Sequence, residues 1–255
     1  MADARVKVEA LCKSFWDESR GEVRAVDSID FDCRQGEVFG LLGANGAGKT
    51  TTLRMLATIL KPTSGRASLN GYDVLTEPES VRRSLGFYSA STALYPRLTG
   101  KETLEFFARI NRYPPDLVEE RVESLIERFG IAEYAGARVE KLSSGMKQKI
   151  SIARTIVHDP PVLIFDEPTV GLDVMAAIEM QQVIRELRDE GKTIIFSTHI
   201  MSEAEKLCDR IAIIHQGRIL ALGTLEEHRQ ATGKHYLEDI FVHEVMAVTE
   251  VESSP

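Results

Sequence analysis

Val38-Phe39-Gly40-Leu41-Leu42 runs straight into Gly43-Ala44-Asn45-Gly46-Ala47-Gly48-Lys49-Thr50, and apolar residues then recur at Leu53, Leu56 and Leu60 before Pro62. An uninterrupted apolar run is the text of a strand buried on both faces of a parallel sheet. The spacing after it is that of a helix, which Pro62 ends. Between the two, glycines let the backbone curl so that successive N–H groups point inward, and the helix start adds partial positive charge. This is a phosphate cradle of the P-loop pattern, in the strand-to-helix position the pattern requires. Gly43, Asn45, Gly46 and Gly48 shape it. Lys49 is placed to reach β and γ phosphates, the Thr50 hydroxyl to ligate Mg²⁺, and Thr51 to touch the α phosphate. The pattern implies a nucleoside triphosphate with Mg²⁺ and by itself leaves kinases, GTPases and ATPases open.

Working outward, residues 5–35 alternate as half-buried strands do, with Ile29, Phe31 and Cys33 facing one way and Asp30 and Asp32 the other. Asn70-Gly71 between Leu69 and Tyr72 predicts a hairpin. From Thr99, which makes a capping-box pattern with Glu102, the text turns helical; a second helix begins near Asp116 and ends at Gly130. Buried-strand text returns at Val162–Phe165 and Thr193–Phe196, separated by a helix from about Val174 to Gly191. A closing hairpin spans Ile211–Ile214 and Arg218–Leu222, and Thr224 with Glu227 caps a short helix. Strand and helix alternation predicts an α/β fold with a doubly wound parallel core sheet, an antiparallel β subdomain and a helical insert at about 92–157. The domain is expected over 5–230, with 231–255 as a short C-terminal tail; the last residues carry little structural signal.

The 255 residues have 43% hydrophobic and 27% charged side chains and a net charge of −8, which argues against a nucleic-acid surface, since counterion release needs a basic patch. The three cysteines, Cys12, Cys33 and Cys208, are in no metal-ligand spacing and read as reduced, structural thiols. Met1–Arg5 lacks the apolar stretch of a signal peptide, and no apolar run approaches the roughly 18 residues of a membrane span. The chain is expected to be cytosolic and to span nothing.

Val162–Phe165 delivers Asp166-Glu167 at a strand tip, where ligands collect in open α/β sheets. Beside a P-loop, Asp166 suits an outer-shell or water-bridged Mg²⁺ role, and Glu167 is free to act as general base on an attacking water.

Leu142-Ser143-Ser144-Gly145-Met146-Lys147-Gln148, just before a helix and ahead of the Asp-Glu strand, resembles the signature motif of ABC transporter ATP-binding subunits. The order of aromatic residue, P-loop, signature, strand carboxylates, D-loop and switch histidine is similar to that family over roughly residues 5–230. The resemblance implies an ATPase fold of the ABC nucleotide-binding type. It implies that Ser143, Ser144 and Gly145 bind the γ-phosphate of a second subunit's ATP, so that two subunits, most simply two copies, sandwich the nucleotide. It implies that His199 is the switch histidine at the γ-phosphate, that Asp173 in Thr169-Val170-Gly171-Leu172-Asp173 belongs to the D-loop, and that Phe15, or its neighbour Trp16, stacks on adenine. The expected catalytic set is thus Lys49, Glu167 and His199. Two positions depart from the pattern: Ser144 stands where a glycine is usual, and Ala90 stands where the Q-loop glutamine would be, leaving Ser89 or Ser91 as substitutes through a water.

Leu94-Tyr95-Pro96-Arg97-Leu98-Thr99 and Tyr236–Phe241 resemble ABC-2 type exporters, nearest to sodium-exporting ATP-binding subunits. That resemblance implies a separate transmembrane permease subunit, a peripheral position on the cytoplasmic face of the membrane, and no nucleic-acid partner. Phe87, Tyr88, Leu94 and Tyr95 either contact the permease or pack the core. The alternatives are a soluble ABC ATPase of translation or DNA maintenance, against which the single cassette and acidic balance argue, and a regulatory cassette that binds ATP without turnover, which Ala90 motivates.

Overall fold

The computed structural model describes residues 4–19, 21–89 and 92–252. β1 (Ala4–Asp17) and β2 (Gly21–Arg34) pair antiparallel, with Ile29, Phe31 and Cys33 buried as their alternation predicts. β3 (Val38–Leu42) is buried at every position and leads through the glycine-rich turn into α1 (Lys49–Leu56). The helix ends before Leu60, because Thr58 takes a left-handed φ of 59° and the N–H groups of Ile59 and Leu60 both turn back to the Arg54 carbonyl. The last carbonyls are thereby satisfied ahead of Pro62. β4 (Ser64–Leu69) and β5 (Tyr72–Asp73) form the hairpin on Asn70-Gly71. α2 (Pro78–Arg83) and β6 (Leu85–Ser89) follow; Ala90 and Ser91 lie outside the described residues.

The helical layer contains α3 (Gly100–Ile110), opened by the Thr99–Glu102 capping box, α4 (Val118–Arg128), and α5 (Ser144–Ile156), whose N-cap is Ser143. Then come β7 (Val162–Asp166), α6 (Val174–Asp189), β8 (Thr193–Thr198), α7 (Met201–Leu207), β9 (Arg210–His215), β10 (Arg218–Gly223), α8 (Leu225–Thr232) and α9 (Leu237–Glu252).

The strands make two sheets: a four-stranded antiparallel one in the order β2-β1-β4-β5, and a six-stranded one in the order β10-β9-β3-β8-β7-β6. In the larger sheet every pairing is parallel except β9 with β10. Its central strands read as unbroken apolar runs because both faces are covered. Val38, Leu163, Phe165, Ile194 and Phe196 enter the cluster shared with α4, α5 and α6. Phe39, Leu41, Val162, Ile164 and Ile195 enter the cluster shared with α1 and the antiparallel sheet. Consecutive side chains therefore go to opposite cores, as the period of a strand dictates.

The residues read as a tail hold a helix. Leu237 and Ile240 of α9 are buried against Leu42, Ala204, Ile211 and Ile213, and the Leu237 N–H donates to Glu205 Oε1 at 2.9 Å. Burying two such side chains stabilises the contact by about 3 to 6 kcal/mol. Most of a helix's stability in a protein comes from packing of this kind rather than from propensity.

His158 joins the end of α5 to the start of β6: its Nε2 lies 3.1 Å from the Leu85 carbonyl, and its buried Nδ1 has no hydrogen bond. Burial pushes the imidazole down from 6.5 to about 4. Between those two pH values an unfolded chain takes up a proton that the native state refuses, so native stability falls as pH drops from 6.5 toward 4. Denaturant unfolding across this range should show wild type losing on the order of 3 kcal/mol relative to His158→Gln, and parallel pH dependences would contradict it.

Candidate nucleotide site

The sheet sets the site by ending its parallel strands at one level. β3 is paired to β8 through Leu42 and Thr198, and β8 to β7 through Ser197 and Asp166. Residues just past these ends share one crevice: the Gly43–Gly48 turn, Asp166-Glu167 and Ser197–His199.

The turn is packed too tightly for side chains at two points. A Cβ on Gly43 would fall 2.4 Å from the Ile214 carbonyl oxygen, and Gly48, at φ 108°, would place one 2.6 Å from the Ala25 oxygen. Ala44, Asn45 and Gly46 face solvent, so the cradle is open to a ligand. Lys49 is 3% exposed. Its ammonium donates to the carbonyls of Gly43 at 2.7 Å and Ala44 at 3.1 Å, and its Nζ sits 3.1 Å from Glu167 Oε1. Three donors thus meet three acceptors.

Asp166 is the hub behind the cradle. Its Oδ1 accepts from the Thr50 hydroxyl at 3.2 Å and from the Ser197 hydroxyl at 2.8 Å. Burial raises its carboxyl above the ordinary range, and the Ser197 and Thr50 hydroxyls oppose that rise. A carboxylate held where its charge is costly, together with the Thr50 hydroxyl that donates to it, is a hard-oxygen donor pair suited to a small divalent cation. Among the described residues no group of three or more His, Cys, Asp or Glu is gathered to hold a metal, so bound phosphate and water would have to complete its shell.

Glu167 turns out of the strand with a left-handed φ of 49°, a strained conformation for a side-chain-bearing residue. The strain is held by its N–H, which donates to the Ser197 carbonyl at 3.2 Å and to the Ser197 hydroxyl at 3.1 Å. The carboxylate is aimed at Lys49 and at His199, whose Nδ1 lies 3.4 Å from Oε1, within ion-pair reach but without hydrogen-bond geometry. The structure therefore gathers Lys49, Thr50, Asp166, Glu167 and His199. Ser197 was not singled out by sequence; the signal was available in the register of two buried runs, which puts it opposite Asp166.

Other predicted residues stand apart from this cluster. Ser143 caps α5 by accepting the Met146 N–H at 3.3 Å, and Ser143, Ser144 and Gly145 are exposed. Among the described residues, no hydrogen bond or ion pair links them to Gly43–Thr51. Asp173 caps α6 by accepting the Ala176 N–H at 2.9 Å. Phe15 and Trp16 are both exposed near the end of β1, on opposite faces of the strand, with the Lys13 ammonium 5.0 Å over the Phe15 ring. Tyr88 is buried, its ring 5.8 Å from that of Phe165, and belongs to the interior, whereas Phe87 is half-buried against the cluster shared with the antiparallel sheet. Leu94 packs partly on the helical cluster, whereas Tyr95 is exposed beside Phe106 and Phe107.

Comparison with known proteins places this geometry among relatives. A family model described as "ABC transporter" matches residues 26–170. The ABC transporter ATP-binding protein NatA of Bacillus subtilis (strain 168) is 39% identical over 92% of this chain and 96% of its own. The daunorubicin/doxorubicin resistance ATP-binding protein DrrA of Streptomyces peucetius is 38% identical over 90% of this chain and 69% of its own. Among solved structures, an ATP-binding subunit of an ABC transporter superposes with a TM-score of 0.85 at 31% identity, covering 94% of this chain and 99% of that one. A dimeric bacterial ABC transporter cassette does so at 0.77 and 26% identity, covering 86% and 98%.

Ser197→Ala removes one donor from Asp166 and one acceptor from the strained Glu167 N–H. Hydrogen bonds to charged groups contribute about 1.5 to 3 kcal/mol to stability, so the thermal midpoint should fall by roughly 3 to 12 °C, and with both carboxylates loosened ATP turnover should fall on the order of tenfold or more. Turnover within twofold of wild type would show that the hub is not needed.

Proposed function

The chain belongs to the ABC transporter family and is an exporter-type ATPase, and from that premise we propose which of its residues do the work and with what partners. The observation that carries the reading is the Lys49–Glu167–Asp166 cluster at the strand ends behind an open P-loop.

ATP lies with its phosphates in Gly43–Gly48, its β and γ oxygens taking donors from Lys49 and the loop N–H groups, and its adenine against Phe15. Phosphate oxygens compete with Glu167 for the Lys49 ammonium, and that exchange leaves the Glu167 carboxylate free to accept a proton from the attacking water. A positioned general base is worth about 10² to 10⁴ in rate. His199, beside Glu167, donates to the γ-phosphate. Thr50 and Asp166 would hold Mg²⁺, which when bound neutralises phosphate charge as it shifts in the transition state. The exposed Ser143–Gly145 segment at the start of α5 offers N–H and O–H donors that its own P-loop does not use. A second copy of the chain receives them, with Asp173 and its loop at the join.

Among the described residues no helix is long and apolar enough to cross a membrane. The chain works on a separate transmembrane subunit at the cytoplasmic face, and Tyr95 with its neighbouring aromatics is a candidate contact. The permease holds the cargo. By analogy with the resistance protein among its relatives and with the exporters its sequence resembles, the cargo is a drug-like molecule or sodium ion pumped outward.

Purified from membranes in mild detergent together with its integral membrane subunit, the Glu167→Gln protein should keep ATP bound, hold its two ATP-binding subunits together only when ATP is present, and turn over at least about 100-fold more slowly than wild type. Unchanged turnover, or the absence of any integral membrane protein, would refute this reading.

A further inference from the structure

Beneath the loops that carry Glu167 and His199 lies a carboxylate that neither phosphate nor metal chemistry uses. Glu203, in the first turn of α7, is 6% exposed. One of its oxygens, Oε2, accepts from two hydroxyls: Thr169 Oγ1 at 2.9 Å and Thr198 Oγ1 at 3.0 Å. Both threonines are themselves buried. Among the described residues, no Lys or Arg forms an ion pair with Glu203. Burying a carboxylate without a counter-charge is expensive, and an apolar side chain of similar volume would ordinarily cost less. The first turn of a helix recovers only part of that.

The two hydroxyls bracket the two reacting loops. Thr169 follows Glu167 closely, and the backbone turns Val170 N–H to Glu167 O at 3.3 Å and Leu172 N–H to Thr169 O at 3.2 Å fix the stretch leading to Asp173. Thr198 immediately precedes His199, and the same Oγ1 that donates to Glu203 accepts the Ile200 N–H at 3.0 Å, so it holds the backbone on both sides of the histidine. A hydroxyl has one proton to give; with both protons spent on one oxygen, neither loop shifts without breaking a buried charge-assisted bond. The anchor is itself fixed, since Glu205 on the same helix accepts the Leu237 N–H that begins α9.

We propose that Glu203 is a positioning residue for ATP hydrolysis, coupling the loop from Glu167 to Asp173 with the loop that carries His199. A contact made on the Asp173 loop by a second copy of the chain is thereby felt at the histidine. The proposal rests on the reading of Glu167 as base and His199 as γ-phosphate contact.

The test is a mutant cycle on the complex with its membrane subunit, reading kcat and KM for ATP. Thr169→Val and Thr198→Val, which remove the hydroxyls at nearly constant volume, should each lower kcat on the order of tenfold with KM within twofold. Combined, they should lose little more than either alone. Thr169→Ser and Thr198→Ser, which keep the hydroxyl, should retain kcat. In Glu203→Ala, kcat should already be reduced and neither valine should reduce it further. Should Glu203→Ala fail to fold, the threonine pair decides alone. Multiplicative losses from the two valines, or a loss confined to KM or to the thermal midpoint, would overturn the proposal. Glu167→Gln in parallel separates the two levels: if it keeps turnover, the base reading falls and Glu203's role with it; if it abolishes turnover while the valine losses multiply, only the positioning role falls.

Discussion

Asp166 Oδ1 holds the site together by accepting hydroxyls from two directions, Thr50 at the head of α1 and Ser197 at the end of β8. The Gly43–Thr50 loop, β7 and β8 are thus tied at one buried atom. Burial raises the Asp166 carboxyl, and the two hydroxyls oppose that, so the arrangement stores a preference for positive charge next to Thr50. The same serine that serves Asp166 restrains Glu167 in its left-handed turn. Removing this one residue would loosen both carboxylates, which is why the positions of Lys49, Glu167 and His199 are best understood as one unit.

The sheet makes that unit possible. Parallel pairing of β3, β8 and β7 brings their carboxyl ends to a common level, and the two cores on either side of the sheet lock the register, because a one-residue slip would exchange the cores that each side chain enters. The cluster it creates is one-sided: Lys49 and Glu167 face a cradle open at Ala44–Gly46, while the serines and glycine at the start of α5 face outward with no phosphate loop of their own to meet. Each chain would then supply one half of the proposed sandwich, in keeping with a family whose solved cassettes include a dimer.

Much of this was legible in sequence where the information is local. The Gly43–Thr50 turn, the buried runs before and after it, and the caps at Thr99 and Thr224 are each written in a few adjacent residues, and each forms where its spacing indicates. What escaped depends on residues far apart in the chain. α9 is held by Leu237 and Ile240 in a core and by Glu205 at its first N–H, none of which a weak C-terminal pattern announces. The early end of α1 follows from a left-handed Thr58, a residue type with no strong preference for that conformation. Tyr88, aromatic and near a sequence departure, looked as suited to a docking surface as to the interior; the register of β6 on β7 sets it against Phe165. The roles of Ser197 and Glu203 appear only when strand ends and a helix start are superposed in space.

The central claim is that ATP is completed between two copies, with the Gly43–Thr50 cradle of one facing the Ser143–Gly145 segment of the other. The most direct measurement is disulfide trapping between chains of different size, one carrying Asn45→Cys and the other Ser144→Cys, both in the Glu167→Gln background and against a control with only the native cysteines. The account predicts a cross-linked pair containing one chain of each size, formed with ATP and Mg²⁺ and absent without nucleotide. Cross-linking that ignores ATP, or none when ATP is bound, would contradict it.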